Sequence, residues 1–159
     1  MPDLYALLPE QHQFFMKQAL KEAAIAYEKD EVPVGAVLVK DGAIIARGHN
    51  LREASSLPGA HAEFLAIEAA AAQIGHWRLL DTALYVTLEP CPMCAGAIIN
   101  ARIPLVVYGA YDKNAGALGS KLHLNAYGFN HTPEVIGGVM EAECSALLRR
   151  YFKEKRAQK

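Results

Sequence analysis

Hydrophobic and polar positions along the chain alternate between two periods. From Gln11 to Lys29, Phe15, Ala19, Ala23, Ile25, Ala26 and Tyr27 recur near helical spacing with lysines and glutamates between them, which predicts an amphipathic helix. Two short apolar runs follow, Val34–Val39 and Ala43–Ala46, split by Asp41-Gly42, a strong hairpin signal. The polar stretch 49–59 predicts a loop, and the alanine-rich run Ala60–Ile74 predicts a helix stopped by Gly75. Ala83–Leu88 reads as a buried strand, Pro92–Ala101 as a helix and Leu105–Tyr108 as a further strand. A strand, helix and strand in so short a span imply parallel pairing through a right-handed crossover. Residues 109–134, rich in glycine and asparagine, predict mostly loop, and Val135-Ile136 an edge strand. A last helix is predicted from about Met140 to Glu154, with Met140, Cys144, Leu147, Leu148 and Tyr151 on one face. The sum is an α/β protein, a three-layer α/β/α sandwich around a central mixed sheet of about five strands.

Composition adds bounds. At 159 residues, 52% hydrophobic and 21% charged, the chain is expected to form one globular domain with a real core. No apolar run reaches membrane-span length, and Met1-Pro2-Asp3-Leu4 lacks the basic-then-apolar order of a signal peptide, so a cytoplasmic protein is expected. A net charge of −1 argues against a nucleic-acid partner, but the distribution changes that picture. Arg149, Arg150, Lys153, Lys155, Arg156 and Lys159 crowd the carboxy-terminal end against a single acid, Glu154. Such a patch suits RNA, and it equally suits a solvated helix C-terminus.

The chemistry sits in two short motifs. His61-Ala62-Glu63 is followed by Pro90-Cys91-Pro92-Met93-Cys94. One imidazole and two thiolates give zinc three protein ligands, the number that leaves a fourth position for water. Cys91 and Cys94 share a face when one turn apart on a helix, and Pro92 suits the first helical position. Residues two apart on a helix diverge by roughly 200°. His61 and Glu63 can therefore serve one site only off a helix end, which places the ion between two helix N-termini, near Ala60 and Cys91. Glu63 is then expected to face the water and not the metal. A lone C-x-x-C also occurs in closed structural sites, but the possible fourth ligands (Cys144, His49, His76, His123 and His131) lack ligand-like spacing. Cys144 falls on the apolar face of the last helix and reads as a core cysteine.

Together the motifs read H-x-E…P-C-x-x-C, the signature of zinc-dependent nucleobase deaminases. Further blocks are Glu31–Val39, Gly48-His49-Asn50, Tyr85–Ala97, Tyr108–Asp112 with Ala115–Ser120, Asn130-His131 and Glu143-Cys144 leading to Tyr151-Phe152. On these residues the chain resembles the cytidine deaminase-like superfamily, and within it the bacterial tRNA-specific adenosine deaminases. One departure is Leu57-Pro58-Gly59, where that family commonly has Asp-Pro-Thr.

The resemblance implies one zinc per subunit on His61, Cys91 and Cys94, with Glu63 as catalytic proton carrier. The reaction implied is hydrolytic deamination of the wobble adenosine, position 34, to inosine, in the anticodon stem-loop of a tRNA bound by a homodimer. Asn50 would read the flipped nucleoside, although an asparagine there also suits a turn cap. Arg52, Asp112 and Asn130 would line the same mouth. Arg149, Arg150, Tyr151, Phe152 and Lys153 would stack on loop bases and meet phosphates. The alternative is a deaminase of a free base or nucleoside such as guanine, cytosine or cytidine, which has no use for a basic, aromatic carboxy-terminal helix.

Overall fold

The computed structural model describes residues 9–159; the Met1–Leu4 pattern weighed above lies outside them. Helix α1 (Pro9–Glu28) precedes a hairpin of β1 (Gly35–Lys40) and β2 (Ala43–His49). Its turn residues Asp41 and Gly42 have φ of 52° and 77°, the two positive values that a two-residue turn matched to strand twist requires. Short α2 (Arg52–Ser55) and α3 (Ala62–Ile74) lead to β3 (Thr82–Leu88), α4 (Pro92–Asn100) and β4 (Leu105–Ala110). A long loop with a 3-10 turn at Leu124–Ala126 leads to β5 (Glu134–Ile136) and α5 (Glu141–Ala157). Helix α2 corrects the expectation of plain loop over 49–59. The corresponding sequence is too short and polar to show a period.

The sheet runs β2-β1-β3-β4-β5, with β1 antiparallel to both neighbours and β3, β4 and β5 parallel. This is the mixed five-stranded sheet the sequence implied, with the parallel pairing of β3 and β4 across α4 included. Side-chain alternation sorts its faces. Ala36, Leu38, Leu84, Val86, Val106 and Tyr108 point to one side, where Ala66 and Ala70 of α3 and Ile98 of α4 pack. Val37, Val39, Ala83, Tyr85, Leu105 and Val107 point to the other, against Phe15, Met16 and Ala19 of α1 and Cys144 of α5. Covered on both faces, β1, β3 and β4 read as continuous apolar runs in the sequence.

Two glycines let helices sit directly on the strands. A Cβ at Gly35 would run into the carbonyl oxygen of Ala19 on α1, and one at Gly48 into that of Ala62 in the first turn of α3. The second contact seats the start of α3, where the site residues lie. Ile25, placed on the apolar stripe of α1 by spacing, is 41% exposed, and Met16, which the pattern skipped, is fully buried. Helix α5 starts one residue later than expected, after Met140 at φ 54°, and continues to Ala157. Among the described residues no helix is long and apolar enough to cross a membrane.

Candidate active site

His61 is the N-cap of α3 and Cys91 the N-cap of α4, both with extended backbone, and Pro92 opens α4. The two helix starts meet beside the C-terminal end of β3, where open α/β sheets place their ligands. His61 Nδ1 lies 3.5 Å from Cys91 Sγ and 3.5 Å from Cys94 Sγ. Zinc bonds of about 2.3 Å to sulfur and 2.0 Å to nitrogen, at tetrahedral angles, separate such atoms by about 3.5 Å. All three donor atoms lie within 4.8 Å of one another. The donor set fits a tetrahedral ion with one position left for water.

Electrostatics agree with that fit. Hydrogen bonding from Cys94, helped by His61, holds the Cys91 thiol down to about 4. The same contact with Cys91, together with burial, pushes the Cys94 thiol far up, and a hydrogen bond to Cys91 raises the His61 imidazole. Zinc takes cysteine as thiolate, and a bound cation supplies the charge that favours loss of the proton from both sulfurs. Glu63, 4% exposed in the first turn of α3, does not belong to the donor cluster. Burial pushes its carboxyl up to about 7.

These groups form the floor of a cavity of about 720 Å³, in the usual range for small-molecule sites. Asn50 and Arg52 stand on one wall, Tyr111–Ala115 on another, and Arg149 and Phe152 of α5 at the rim. Asn50 is both pocket wall and turn cap: its Nδ2 donates to the Val32 carbonyl and its Oδ1 accepts from Arg52 N at 3.1 Å. Asp112 likewise accepts the N–H groups of Asn114 and Ala115. The Leu57-Pro58-Gly59 departure forms a turn in which Ala60 N donates to Leu57 O and His61 N to Gly59 O. It leaves the histidine correctly placed.

Two expectations are corrected. Asn130 does not line this pocket. Because β5 runs parallel to β4, the chain must return to the opposite end of the sheet before entering it, and there His131 bonds to the Ile103 carbonyl. Tyr151 is not a free stacking surface either. It is 9% exposed, donates from its hydroxyl to the Asp30 carbonyl, and packs edge-on against Tyr27.

The rest of the basic end divides in two. Arg150 pairs with Glu154 at 3.2 Å and lies over the Tyr27 ring, and Lys155 pairs with Asp30. Arg149, Lys153 and Arg156, with Phe152 at 43% exposure, line an adjoining groove of about 500 Å³. Arg150 also borders that groove, with its charge already partnered.

Two buried glutamates were not found from sequence. Glu31, 1% exposed, accepts the N–H groups of Glu53 and Ala54 and so caps α2 beside Asn50 and Arg52. Glu89, 2% exposed, holds the loop on the other side. The signals available were that both fall within the blocks Glu31–Val39 and Tyr85–Ala97 and that each precedes a proline-containing run, Val32-Pro33 and Pro90-Cys91.

Comparison with known proteins agrees with this geometry. Residues 9–110 match the cytidine and deoxycytidylate deaminase zinc-binding region. The chain is 51% identical over 150 residues to the tRNA-specific adenosine deaminase of Bacillus subtilis, covering 94% of this chain and 93% of that protein. A solved structure from studies of A-to-I editing by tRNA:A34 deaminases superposes with a TM-score of 0.83 at 46% identity, over 85% of this chain and 99% of that one. A guanine deaminase from Nitrosomonas europaea superposes with a TM-score of 0.74 at 26% identity, over 87% and 83% of the two chains. Fold and site thus define a zinc-dependent deaminase of the cytidine deaminase-like class. Within that class the chain belongs to the family of tRNA-specific adenosine deaminases.

Proposed function

We propose that this enzyme hydrolyses adenosine 34 in the anticodon loop of a tRNA to inosine, with release of ammonia. The observation that carries the proposal is the joining of two features in one cavity. A three-ligand zinc site with a buried carboxyl forms the floor, and a cationic, aromatic helix forms the rim. A loop nucleotide is already unpaired, so turning it into such a pocket costs little.

His61, Cys91 and Cys94 would hold zinc, which when bound supplies the Lewis acidity that makes water a competent nucleophile near neutral pH. Glu63 takes a proton from that water and gives it to N1 of adenine as the new C6–O bond forms. It then carries the second proton to the departing amine. The C6–N bond breaks, and ammonia and inosine result. Asn50, Arg52 and Asp112 border the nucleoside. Arg149, Phe152 and Lys153 face the flanking nucleotides, with Arg150 contributing through its outer edge. The working unit is a homodimer in the cytoplasm, for which sedimentation of the purified protein is the direct check.

The test is a paired incubation of zinc-loaded protein with a tRNA transcript bearing A34 and, separately, with adenosine, cytidine and guanine. Inosine at position 34, with no ammonia from the free compounds, is the expected result. Ammonia from a free base with the tRNA untouched overturns the proposal in favour of the free-base reading.

A further inference from the structure

Glu89 sits between β3 and the first cysteine, and its carboxylate is filled to capacity. One oxygen accepts Asp112 N at 3.2 Å and the Ser120 hydroxyl; the other accepts Leu118 N at 3.1 Å and Ser120 N at 3.0 Å. Two carboxylate oxygens offer about four lone-pair sites, and all four are used. Gly116 lies so close to this group that a Cβ there would collide with the carboxylate carbon. The backbone repeats the stitch: Glu89 N donates to Ala110 O at 2.9 Å, and Ala117 N to Pro90 O at 2.8 Å. One side chain therefore ties the whole 110–120 loop to the segment that carries Cys91. Within that loop, Tyr111–Ala115 form a wall of the substrate cavity.

We infer that Glu89 is a positioning residue for the reaction: it fixes the Tyr111–Ala115 wall at a set distance from the metal-binding segment, and so sets the pocket's fit to the target nucleoside. Its lone pairs are spent on the loop, so it moves no proton in the reaction, in contrast to Glu63. The opposite wall is held the same way by Glu31, which receives Glu53 N at 2.9 Å and Ala54 N at 2.7 Å next to Arg52. The cavity thus lies between two walls, each hung on a buried carboxylate. The inference that the clamp serves substrate fit rests on the tRNA reading above. The clamp itself does not.

The experiment is Glu89→Gln in the full-length, zinc-loaded enzyme. The substitution keeps shape but turns one acceptor into a donor facing donors. Losing one or two charge-assisted hydrogen bonds is expected to raise KM for an A34 stem-loop about tenfold, with kcat within about threefold. Zinc per chain should stay unchanged. Amide hydrogen exchange should quicken at residues 112–120 and stay slow in β1 and β3. Ser120→Ala, which removes one partly buried hydroxyl donor to Glu89, is expected to move KM and loop exchange the same way by about threefold, and it decides the matter if the glutamine variant does not fold.

Unchanged KM and unchanged loop exchange overturn the proposal. So does a loss of activity that follows zinc loss or exchange rising throughout the molecule, since that marks general destabilisation. If wild type leaves the stem-loop unedited, the tRNA reading fails, while loop exchange in the two variants still tests the clamp.

Discussion

At the floor of the pocket, Cys94 is wholly buried and Glu63 is 4% exposed, and each sits in the first turn of a helix packed on the sheet. At the rim, Phe152 is 43% exposed, and Arg149 and Lys153 of α5 border the groove with no ion pair among the described residues. The floor holds its donor atoms to within a few ångströms through backbone caps and strand ends. The rim holds its charges only by which face of one helix they occupy. Bond-making chemistry needs preorganised geometry. Contact with a flexible, charged polymer needs reach and sign. The two regions should therefore fail in different ways when altered.

The largest effects belong to the floor. His61→Ala or Cys91→Ala should abolish turnover by losing the metal, and elemental analysis showing full zinc occupancy would remove those residues from the ligand set. Glu63→Ala should keep its zinc and lose at least about 10²- to 10⁴-fold in kcat, the scale of general acid–base catalysis. Retention of near-normal inosine formation would end its role as proton carrier.

Rim changes should appear in KM and in salt dependence. Lys153→Ala is expected to weaken tRNA binding a few-fold and to lower the slope of log K against log salt by about 0.7, as for one lost single-strand phosphate contact. Arg150→Ala, whose charge is already engaged by Glu154 and Tyr27, should lower it less. Equal slopes for the two would erase the division of the helix into tied and free cations. Point changes suit this better than removing everything after Leu148, because that also removes Tyr151 from its seat on Tyr27 and Asp30.

The smallest effect lies away from both regions. His12 is buried against the Tyr85 hydroxyl at 2.7 Å, and burial holds its imidazole below the usual value of 6.5. The unfolded chain therefore binds the proton more readily, and the stability contributed by neutral His12 is present above pH 6.5 and lost as pH falls below it. His12→Gln should show a shallower fall in melting temperature between pH 7 and 5 than wild type, by roughly 2 °C. Parallel curves would show that His12 is not a source of acid sensitivity.

Much of this was legible in the sequence because it rests on short-range rules. Strand alternation, the Asp41-Gly42 turn and the Gly75 stop placed the sheet and helices. The angular divergence of His61 and Glu63 pointed to a site off a helix end, and the donor atoms of His61, Cys91 and Cys94 do gather at two helix starts. Failures came from long-range geometry. Asn130 is misplaced by any reading that ignores the return path forced by a parallel β5. Tyr151 has the chemistry of a stacking residue and also the spacing of the core face shared by Cys144 and Leu148, and packing against Tyr27 decides between them. Glu31 and Glu89 were invisible because a carboxylate that accepts backbone N–H groups from distant loops leaves no local pattern.

The two edges of the sheet bear on how copies of this chain can meet. On one side β5 has three residues, too few to template a neighbouring strand. On the other, β2 is kinked where Leu38 pairs with Ala46 but Val39 pairs with Ile44, leaving Ile45 as an unmatched extra residue. It also carries Arg47, whose guanidinium reaches back to Gln18 and Glu22. Both edges are therefore poor sites for strand addition, the usual route to uncontrolled stacking. Any contact between copies is thereby left to helix and loop surfaces.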